Sequence, residues 1–387
     1  MTRRILIHYP VLNLGGAEMS TLRLARALAD RGWRVDMTVT TGGGALEAKL
    51  DRRVKLRALR SRPAGDRASS ARTLGARLRA IPDLLAYGWQ RLHELLASIP
   101  YLFRRYDAAI IGLQGLSPAF CTTWVRARRR LHFVRSDVSR LAAQSKVEKA
   151  VLPYRDRIDW YVCVSEYARD AFVSVFPDLK TKTTAIYNIL DVPAMQALAA
   201  SATDPYEDCT GLKVVTVCRL QEASKGLVRM ARVARRLLDQ GLDFHWFVVG
   251  DGPDRRMLEK AIDDLDIGER FILAGHAANP FGYYRYADVV AVLSNYEGLC
   301  GAVNEAKAVG KAVLATRFSG VGEQIEHEVN GLIVDNDEDA IVEGMARMLT
   351  DPALRERLAA RPLPAAIADD EAKLLRLEAL IVGHGHE

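Results

Sequence analysis

The sequence predicts an α/β protein built from two doubly wound, Rossmann-like domains. At 387 residues the chain exceeds the roughly 250 to 300 residues at which a single hydrophobic core stops growing. Short apolar runs alternate with amphipathic stretches, the pattern of parallel strands covered by helices on both faces. The alternation runs in two series, separated by a polar connector near "ASATDPYEDCTG". This places a first domain over residues 1–195 and a second over 196–367.

The first series opens with a strand, "RRILIHY", a glycine-containing turn, "PVLNLGG", and a helix, "AEMSTLRLARALADR". Leu24, Leu28, Ala17 and Ala25 give that helix an apolar face, and Gly32 suits a left-handed cap before the next strand, "WRVDMTVT". "DAAIIGL", "HFVRS", "WYVCVSE" and "TTAIYNI" read as further strands with helical segments between them. The second series begins with the strand "LKVVTVCRL" and the helix "GLVRMARVARRLLDQG". "FHWFVVGDGP", a helix "DRRMLEKAIDDLDIG", then "RFILAGH", "ADVVAVLSN" and "AVLATRF" follow. In such sheets ligands sit beyond the carboxyl ends of strands, so strand-to-helix turns are the places to search.

Composition narrows the function classes. The five cysteines, Cys121, Cys163, Cys209, Cys218 and Cys300, are scattered without a CxxC pair, which argues against a disulfide framework or a zinc site and fits a reducing cytoplasm. The amino terminus lacks the apolar core of a signal peptide, and no apolar run approaches a membrane span. Residues 1–195 hold 33 Lys and Arg against 17 Asp and Glu, a net of +16, whereas the remainder holds 21 against 31. A basic half suits nucleic acid, anionic lipid or anionic small molecules. No nucleic-acid module is recognisable, so lipid or phosphate is the expected partner. Residues 61–106 add an Arg- and Leu-rich stretch with Leu74, Leu78, Ile81, Leu85, Trp89, Leu92, Leu96, Ile99 and Phe103 at near-helical spacing, interrupted by Pro82 and Pro100. It reads as an amphipathic element on an anionic membrane, or as a helical insertion packed on the sheet.

Four turns hold candidate site residues. Gly15 and Gly16 stand between the first strand and its helix, where free N–H groups favour an anion or the glycines simply permit a tight turn. "CRLQEASKG" places Arg219 and Lys225 beyond a strand, as solvated cations or as partners of a diphosphate. "VVGDGPDRR" offers Gly250 and Gly252 but no third glycine, so the dinucleotide fingerprint fails and a turn into a helix near Asp254 is the simpler reading. In "SNYEGLCGAVNEAKAVG", Glu297 lies at the turn, Gly298 and Gly301 permit close approach of backbone, and Glu305 is expected two turns into a helix. One carboxylate suits a ribose diol and the other a hexose, with amides between them for phosphate. The Asp264–Asp266 and Asp335–Asp337 pairs fall at a charged helix end and at a helix cap, not beyond the central strand where a catalytic metal is expected.

Together these motifs resemble the retaining glycosyltransferases of family 4, with the GT-B fold of two Rossmann-like domains facing a central cleft. The resemblance rests on "LGGAE", "RLQEASKG", "VGDGP", "AGHAANPFGYYRYADVVAVLSNYEGL" and the glutamate pair of "EGLCGAVNE", with "VCVSEYARDAF", "IYNILD", "SGVGEQI" and "NGLIV" in support. It implies that Arg219 and Lys225 bind the donor diphosphate, that Glu305 holds the ribose and Glu297 the sugar hydroxyls, and that the amides of Gly298, Leu299 and Cys300 approach sugar and phosphate. Gly15 and Gly16 shape the first domain's wall, Gly250 lies on the cleft side, and the backbone at His276 meets the base. The last helix, within 368–387, is expected to pack on the first domain. Relatives often carry a histidine in the segment matching "HFVRSDVSR"; here Arg135 stands there, followed by Asp137. His132 faces the other way from a strand. Arg135 either binds an anionic acceptor or pairs with Asp137.

The implied activity is transfer of a hexose, with retention, from a nucleotide sugar, expected to be UDP-linked, to a lipid-linked or saccharide acceptor in surface polysaccharide assembly. The donor binds the second domain and the acceptor the first. Transfer without metal or cofactor is expected, with cations in place of a divalent ion, at the cytoplasmic face of the plasma membrane. The rivals are a nucleotide-sugar epimerase or phosphorylase on the same fold, and a non-catalytic partner subunit.

Overall fold

Strands of three to nine residues pair here into two sheets that are parallel throughout. The computed structural model describes residues 3–60, 81–140, 144–206 and 209–383. Its first sheet contains β1 (Arg4–Tyr9), β2 (Arg34–Thr41), β3 (Lys55–Arg60), β4 (Arg105–Ile111), β5 (Arg126–Val134), β6 (Trp160–Cys163) and β7 (Thr183–Ala185), in the order β3-β2-β1-β4-β5-β6-β7. The second contains β8 (Leu212–Val217), β9 (Phe244–Val249), β10 (Phe271–Gly275), β11 (Val289–Val292), β12 (Val313–Thr316) and β13 (Leu332–Val334), in the order β10-β9-β8-β11-β12-β13. In each sheet the order reverses beside the first strand of the series, between β1 and β4 and between β8 and β11. Those reversals are the topological switch points at which α/β sheets open a crevice.

The chain divides into two compact units, one comprising Met1–Val164, Arg169–Ile189 and Lys373–Glu387, the other Ser165–Ala168 and Leu190–Ala372. In the first, Ile5, Ile7, Val35 and Met37 of the strands pack with Leu24, Ala25 and Leu28 of the helix Gly16–Asp30. That helix closes as its sequence predicts, with Gly32 at φ 81°. Leu374, Leu377, Leu380 and Ile381 of the last helix, Asp370–Val382, join the same core. Glu378 ties it down by accepting from Trp33 Nε1 at 2.6 Å and Arg31 Nη2 at 2.7 Å. In the second unit Val214, Trp246, Phe271, Val289 and Leu314 form the sheet side of a core that Met230, Val233 and Leu237 complete from the helix Leu227–Asp239.

Two local expectations need correction. The strand expected at "HFVRS" starts earlier, at Arg126, through five residues of which four are arginine. Its first half pairs only with β4, and pairing with β6 begins at Leu131 opposite Trp160. The arginines therefore lie on a partly open ladder where their heads reach water. Among the described residues Pro82 and Pro100 both lie within a helix spanning Ile81–Leu102; Pro100 falls in its last turn, where its missing N–H removes a single i−4 bond and only two helical residues follow. Leu74 and Leu78 lie outside the described residues. Tyr101 and His93 hold this helix to the first sheet, through Thr38 Oγ1 at 2.6 Å and the Leu59 carbonyl at 3.1 Å. Trp89, Leu92, Leu96 and Ile99, with Phe103 just beyond the helix, are exposed along its other side. Among the described residues, no helix is long and apolar enough to cross a membrane.

Candidate active site

The turns after β8 and β11 meet at the second sheet's switch point. Asn295 N–H donates to the Ser224 carbonyl at 2.8 Å and Asn295 Nδ2 to the Ala223 carbonyl at 3.1 Å, so the two loops are knitted through backbone. Lys225 ends a short helix, Glu222–Lys225, that Gly226 closes at φ 58° while also starting the next helix. This left-handed residue turns the chain sharply, a conformation glycine adopts at little cost. Lys225 Nζ then pairs with Glu297 Oε1 and donates to Ser294 Oγ at 3.5 Å, and Ser294 Oγ donates to the same Glu297 oxygen at 2.8 Å. Arg219, also expected at the site, is exposed, and no described residue pairs with its guanidinium. The first cation is held in place and the second is open to a ligand.

Glu305 lies only at the fifth position of the helix Gly301–Ala308, not two turns in, because residues 298–300 are not helical. Two buried side chains impose that extended path. Ser165 Oγ donates to the Gly298 carbonyl at 2.8 Å. Gln324, with no exposed surface, donates from Nε2 to the Cys300 carbonyl at 2.8 Å and accepts the Cys300 N–H at 3.0 Å. The same Nε2 reaches Asn304 Oδ1 at 2.7 Å. The Cys300 amide is thus committed inside the protein. In a trans peptide the N–H lies opposite the carbonyl of its plane, so clamping the Gly298 and Cys300 carbonyls turns the Leu299 and Gly301 N–H groups away from the clamp. Glu305 Oε2 accepts from the buried Tyr284 hydroxyl at 3.3 Å.

The electrostatics follow from this packing. Burial is the largest single effect and works against the Lys225 ammonium, but the Glu297 charge, its hydrogen bond and the neighbouring Cys300 and Cys218 together outweigh it and raise the pKa above the usual lysine range. Burial, then the Glu297 charge, pushes the Cys300 thiol up to about 12, and burial pushes Cys218 up to about 11. Burial and then Glu305 hold Tyr284 well above its ordinary value. At neutral pH the site presents a charged lysine among neutral thiols and a neutral phenol, a setting for binding anions rather than for thiolate chemistry.

Gly250 and Gly252 serve the protein's own backbone. A Cβ on Gly250, at φ 142°, would fall 1.9 Å from the Cys218 carbonyl oxygen, and one on Gly252 would fall 2.3 Å from that of Leu220. The β9 turn crosses over the end of β8 through these two gaps. Asp254 starts the helix Arg255–Asp264, as expected, with its carboxylate accepting from Glu222 N–H at 2.8 Å. His276 is exposed just past β10. Asp337 caps the helix Glu338–Thr350 through Ala340 N–H at 2.9 Å, and Asp335 pairs with Arg317.

The other predicted residues gather at the carboxyl edge of the first sheet. Gly16 begins the helix after β1 in open space, and Gly15 precedes it with the Glu18 carboxylate so close that a Cβ would meet it at 2.4 Å. Arg135, just past β5 and buried, donates from Nε to the Gly112 carbonyl at 2.9 Å and from Nη1 to Ser20 Oγ at 3.0 Å and Asn188 Oδ1 at 2.9 Å. Asp137 accepts from Ser139 N–H at 3.0 Å and Ser139 Oγ at 2.5 Å. His132 is a core residue: it is buried against Tyr161 and the Leu113 carbonyl, and burial lowers its pKa to about 4.

Two family models match this chain in succession, Glycosyltransferase Family 4 over residues 14–192 and Glycosyl transferases group 1 over residues 207–361. The chain belongs to glycosyltransferase family 4. Among curated relatives it is 32% identical over 137 residues to the lipopolysaccharide core biosynthesis glycosyltransferase LpsD of Rhizobium meliloti, covering 35% of this chain and 39% of LpsD. It is 28% identical over 165 residues to a Campylobacter jejuni N-acetylgalactosaminyltransferase named for a diphospho-undecaprenol-linked substrate, covering 42% of this chain and 44% of that protein. The matches thus span less than half the length of these curated relatives. The GT-B fold is shared along nearly the whole chain with Anabaena HepE, crystallised with UDP and glucose, at a TM-score of 0.73, 19% identity and 98% coverage of each chain.

Within this family-4 chain, sequence reasoning missed the residues that shape the loop at 298–300. Ser165 and Gln324 stand in "VCVSEYARDAF" and "SGVGEQI", stretches that carry the resemblance. Neither has a spacing that signals its partner, because their bonds to Gly298 and Cys300 span 133 and 24 residues. Tyr284 was hidden among the aromatics of "FGYYRY".

Proposed function

We propose that this chain transfers a hexose from a nucleotide sugar, UDP-linked, to a lipid-linked or saccharide acceptor in surface polysaccharide assembly. One observation carries the reading: Lys225 and Arg219 after β8 and Glu297 and Glu305 after β11 converge on one switch point, with the Leu299 and Gly301 amides turned out of the clamped loop. Cations and free N–H groups beyond strand ends suit a diphosphate, and two carboxylates suit the diols of a ribose and a hexose. The UDP held by HepE and the lipid diphosphate in the Campylobacter relative's name support these substrate classes.

In this reading the bond from the anomeric carbon to the diphosphate breaks, and Arg219 and Lys225 stabilise the departing charge in place of a divalent ion. The acceptor oxygen bonds to the same face, and its proton passes to a donor phosphate oxygen, so the anomeric configuration is retained without a protein nucleophile. No cofactor takes part. The acceptor engages the basic first unit, where Arg135 stands for the histidine of relatives. Trp89, Leu92, Leu96, Ile99 and Phe103 rest on the anionic inner face of the plasma membrane.

The deciding measurement is thermal stability against UDP, GDP, ADP and dTDP sugars. A ligand that binds only the folded state must raise the melting temperature. One nucleotide series should do so in wild type and fail in Lys225→Ala and Glu305→Ala; no stabilisation at millimolar ligand refutes the donor site. Activity abolished by EDTA and restored by Mg²⁺ overturns metal-free transfer, and a product of inverted configuration overturns retention. Trp89→Glu with Phe103→Glu should abolish sedimentation with anionic liposomes; unchanged sedimentation removes the membrane assignment.

A further inference from the structure

A second cationic site lies at the opposite edge of the first sheet. The amino-terminal half of β5, the starts of β6 and β7 and the end of the last helix enclose a cavity of about 460 Å³, within the range of about 300–1,000 Å³ for small-molecule sites. Arg128, Arg129, Arg130, Arg157 and Lys182 line it against only two acids, Asp156 and Asp159. Two of the arginines are fixed by the protein. Arg129 Nη1 is held by Asp159 at 2.9 Å, and Arg130 donates to the Cys121 and Val125 carbonyls at 3.0 and 3.2 Å.

The other three cations keep most of their donors uncommitted. Arg128 is 75% exposed and comes no closer than 3.8 Å to Asp107. Lys182 Nζ makes only 3.4 Å contacts with the Arg155 and Ile158 carbonyls. No described residue pairs with the Arg157 guanidinium. Like charges gathered in a concave site repel, and an anion seated among them relieves the repulsion.

From Arg129 to Arg135, at the carboxyl end of the same strand, is about 20 Å of extended chain. An anion in this cavity is therefore not at the sheet edge that carries Arg135. On the other side of the short helix Ala119–Thr123, Leu92, Leu95, Phe120 and Trp124, with Glu94 and Ser98 among them, line a groove of about 520 Å³. Thr122 faces the cavity and Thr123 the groove.

We propose that this cavity binds the phosphate of a phosphate-bearing ligand, at a site separate from the nucleotide sugar. A soluble phosphate and a lipid headgroup share that chemistry, and the neighbouring groove offers a place for the tail of the second. The site stands on residues of the first unit alone, so it holds or fails independently of the donor reading.

The test uses the full chain and two probes: inorganic pyrophosphate by calorimetric titration, and phosphatidylcholine vesicles with and without phosphatidic acid by co-sedimentation. Arg128→Glu with Arg157→Glu changes two exposed side chains, so folding should be preserved, as should any stabilisation by the donor nucleotide. Binding to either probe should weaken at least tenfold in that variant. Arg357→Glu with Arg361→Glu, the same charge change on exposed residues of the other unit, should stay within about twofold of wild type. Saturable pyrophosphate binding that Arg128→Glu with Arg157→Glu loses assigns a soluble phosphate, binding only to phosphatidic acid vesicles that the same variant loses assigns the headgroup, and binding that this variant keeps overturns the proposal. Failure of wild type to bind either probe overturns the proposal, as does equal loss in both variants, which marks a general field rather than a site.

Discussion

Removing Lys225 tests the site and its ligand-free geometry together. The Lys225 and Glu297 side chains are 19% and 17% exposed. Two unit charges about 4 Å apart attract by about 1 kcal/mol in water and about 4 kcal/mol at the effective dielectric near 20 of a protein surface. Partial burial places this pair between those limits. Ser294 remains to hold the orphaned carboxylate through its 2.8 Å bond, so we expect Lys225→Ala to destabilise the unliganded protein by about 2 kcal/mol. Glu297→Ala should cost a similar amount, and the double variant little more than either, giving a coupling of about 1–2 kcal/mol. Urea denaturation of the four proteins measures it. Single effects that add within about 0.5 kcal/mol refute the pairing. In the proposed reaction Lys225 meets the departing diphosphate, so its loss should raise the barrier in kcat/KM by about 2–3 kcal/mol, roughly 30- to 150-fold. An unchanged kcat/KM removes Lys225 from the chemistry.

Tyr284→Phe deletes the hydroxyl that Glu305 accepts; about 1 kcal/mol of stability should be lost, with donor KM raised more than kcat is lowered, as initial-rate kinetics would show. Gly250→Ala drives a methyl into the Cys218 carbonyl and should cost about 2–5 kcal/mol. Gly16→Ala meets nothing within 4 Å and should lie within about 1 kcal/mol of wild type; similar melting temperatures for the two would contradict the backbone crossing. Lys307 is buried, donates to the Leu358 carbonyl at 2.6 Å, and has its pKa lowered by burial to about 8 from 10.5. Between those values the unfolded chain binds the proton and the folded chain does not, so this residue's contribution to stability rises with pH from about 8 to 10.5 and is least favourable below 8. Lys307→Met should flatten that rise in denaturation measured across the window, and an identical pH profile would show that the folded-state pKa is not lowered.

Local sequence was enough for the parallel α/β alternation, the turn glycines and the cap at Gly32, because each depends on residue spacing of two or about 3.6 and on backbone torsions available to glycine. The glutamate pair was legible for the same reason: Glu297 on the turn and Glu305 in the helix that follows belong to one short local segment. Tertiary structure decided which groups of that turn remain for a ligand. Lys225 meets Glu297 across 72 residues and Ser165 meets Gly298 across 133, and no periodicity connects positions so distant. Only packing shows that Gln324 consumes the Cys300 amide, that Gly250 makes room for a neighbouring strand's backbone, and that Arg135 is held by Ser20, Asn188 and the Gly112 carbonyl. A hydrogen bond depends on where two atoms end up in space, and for these residues the chain fold, not chain order, determines it.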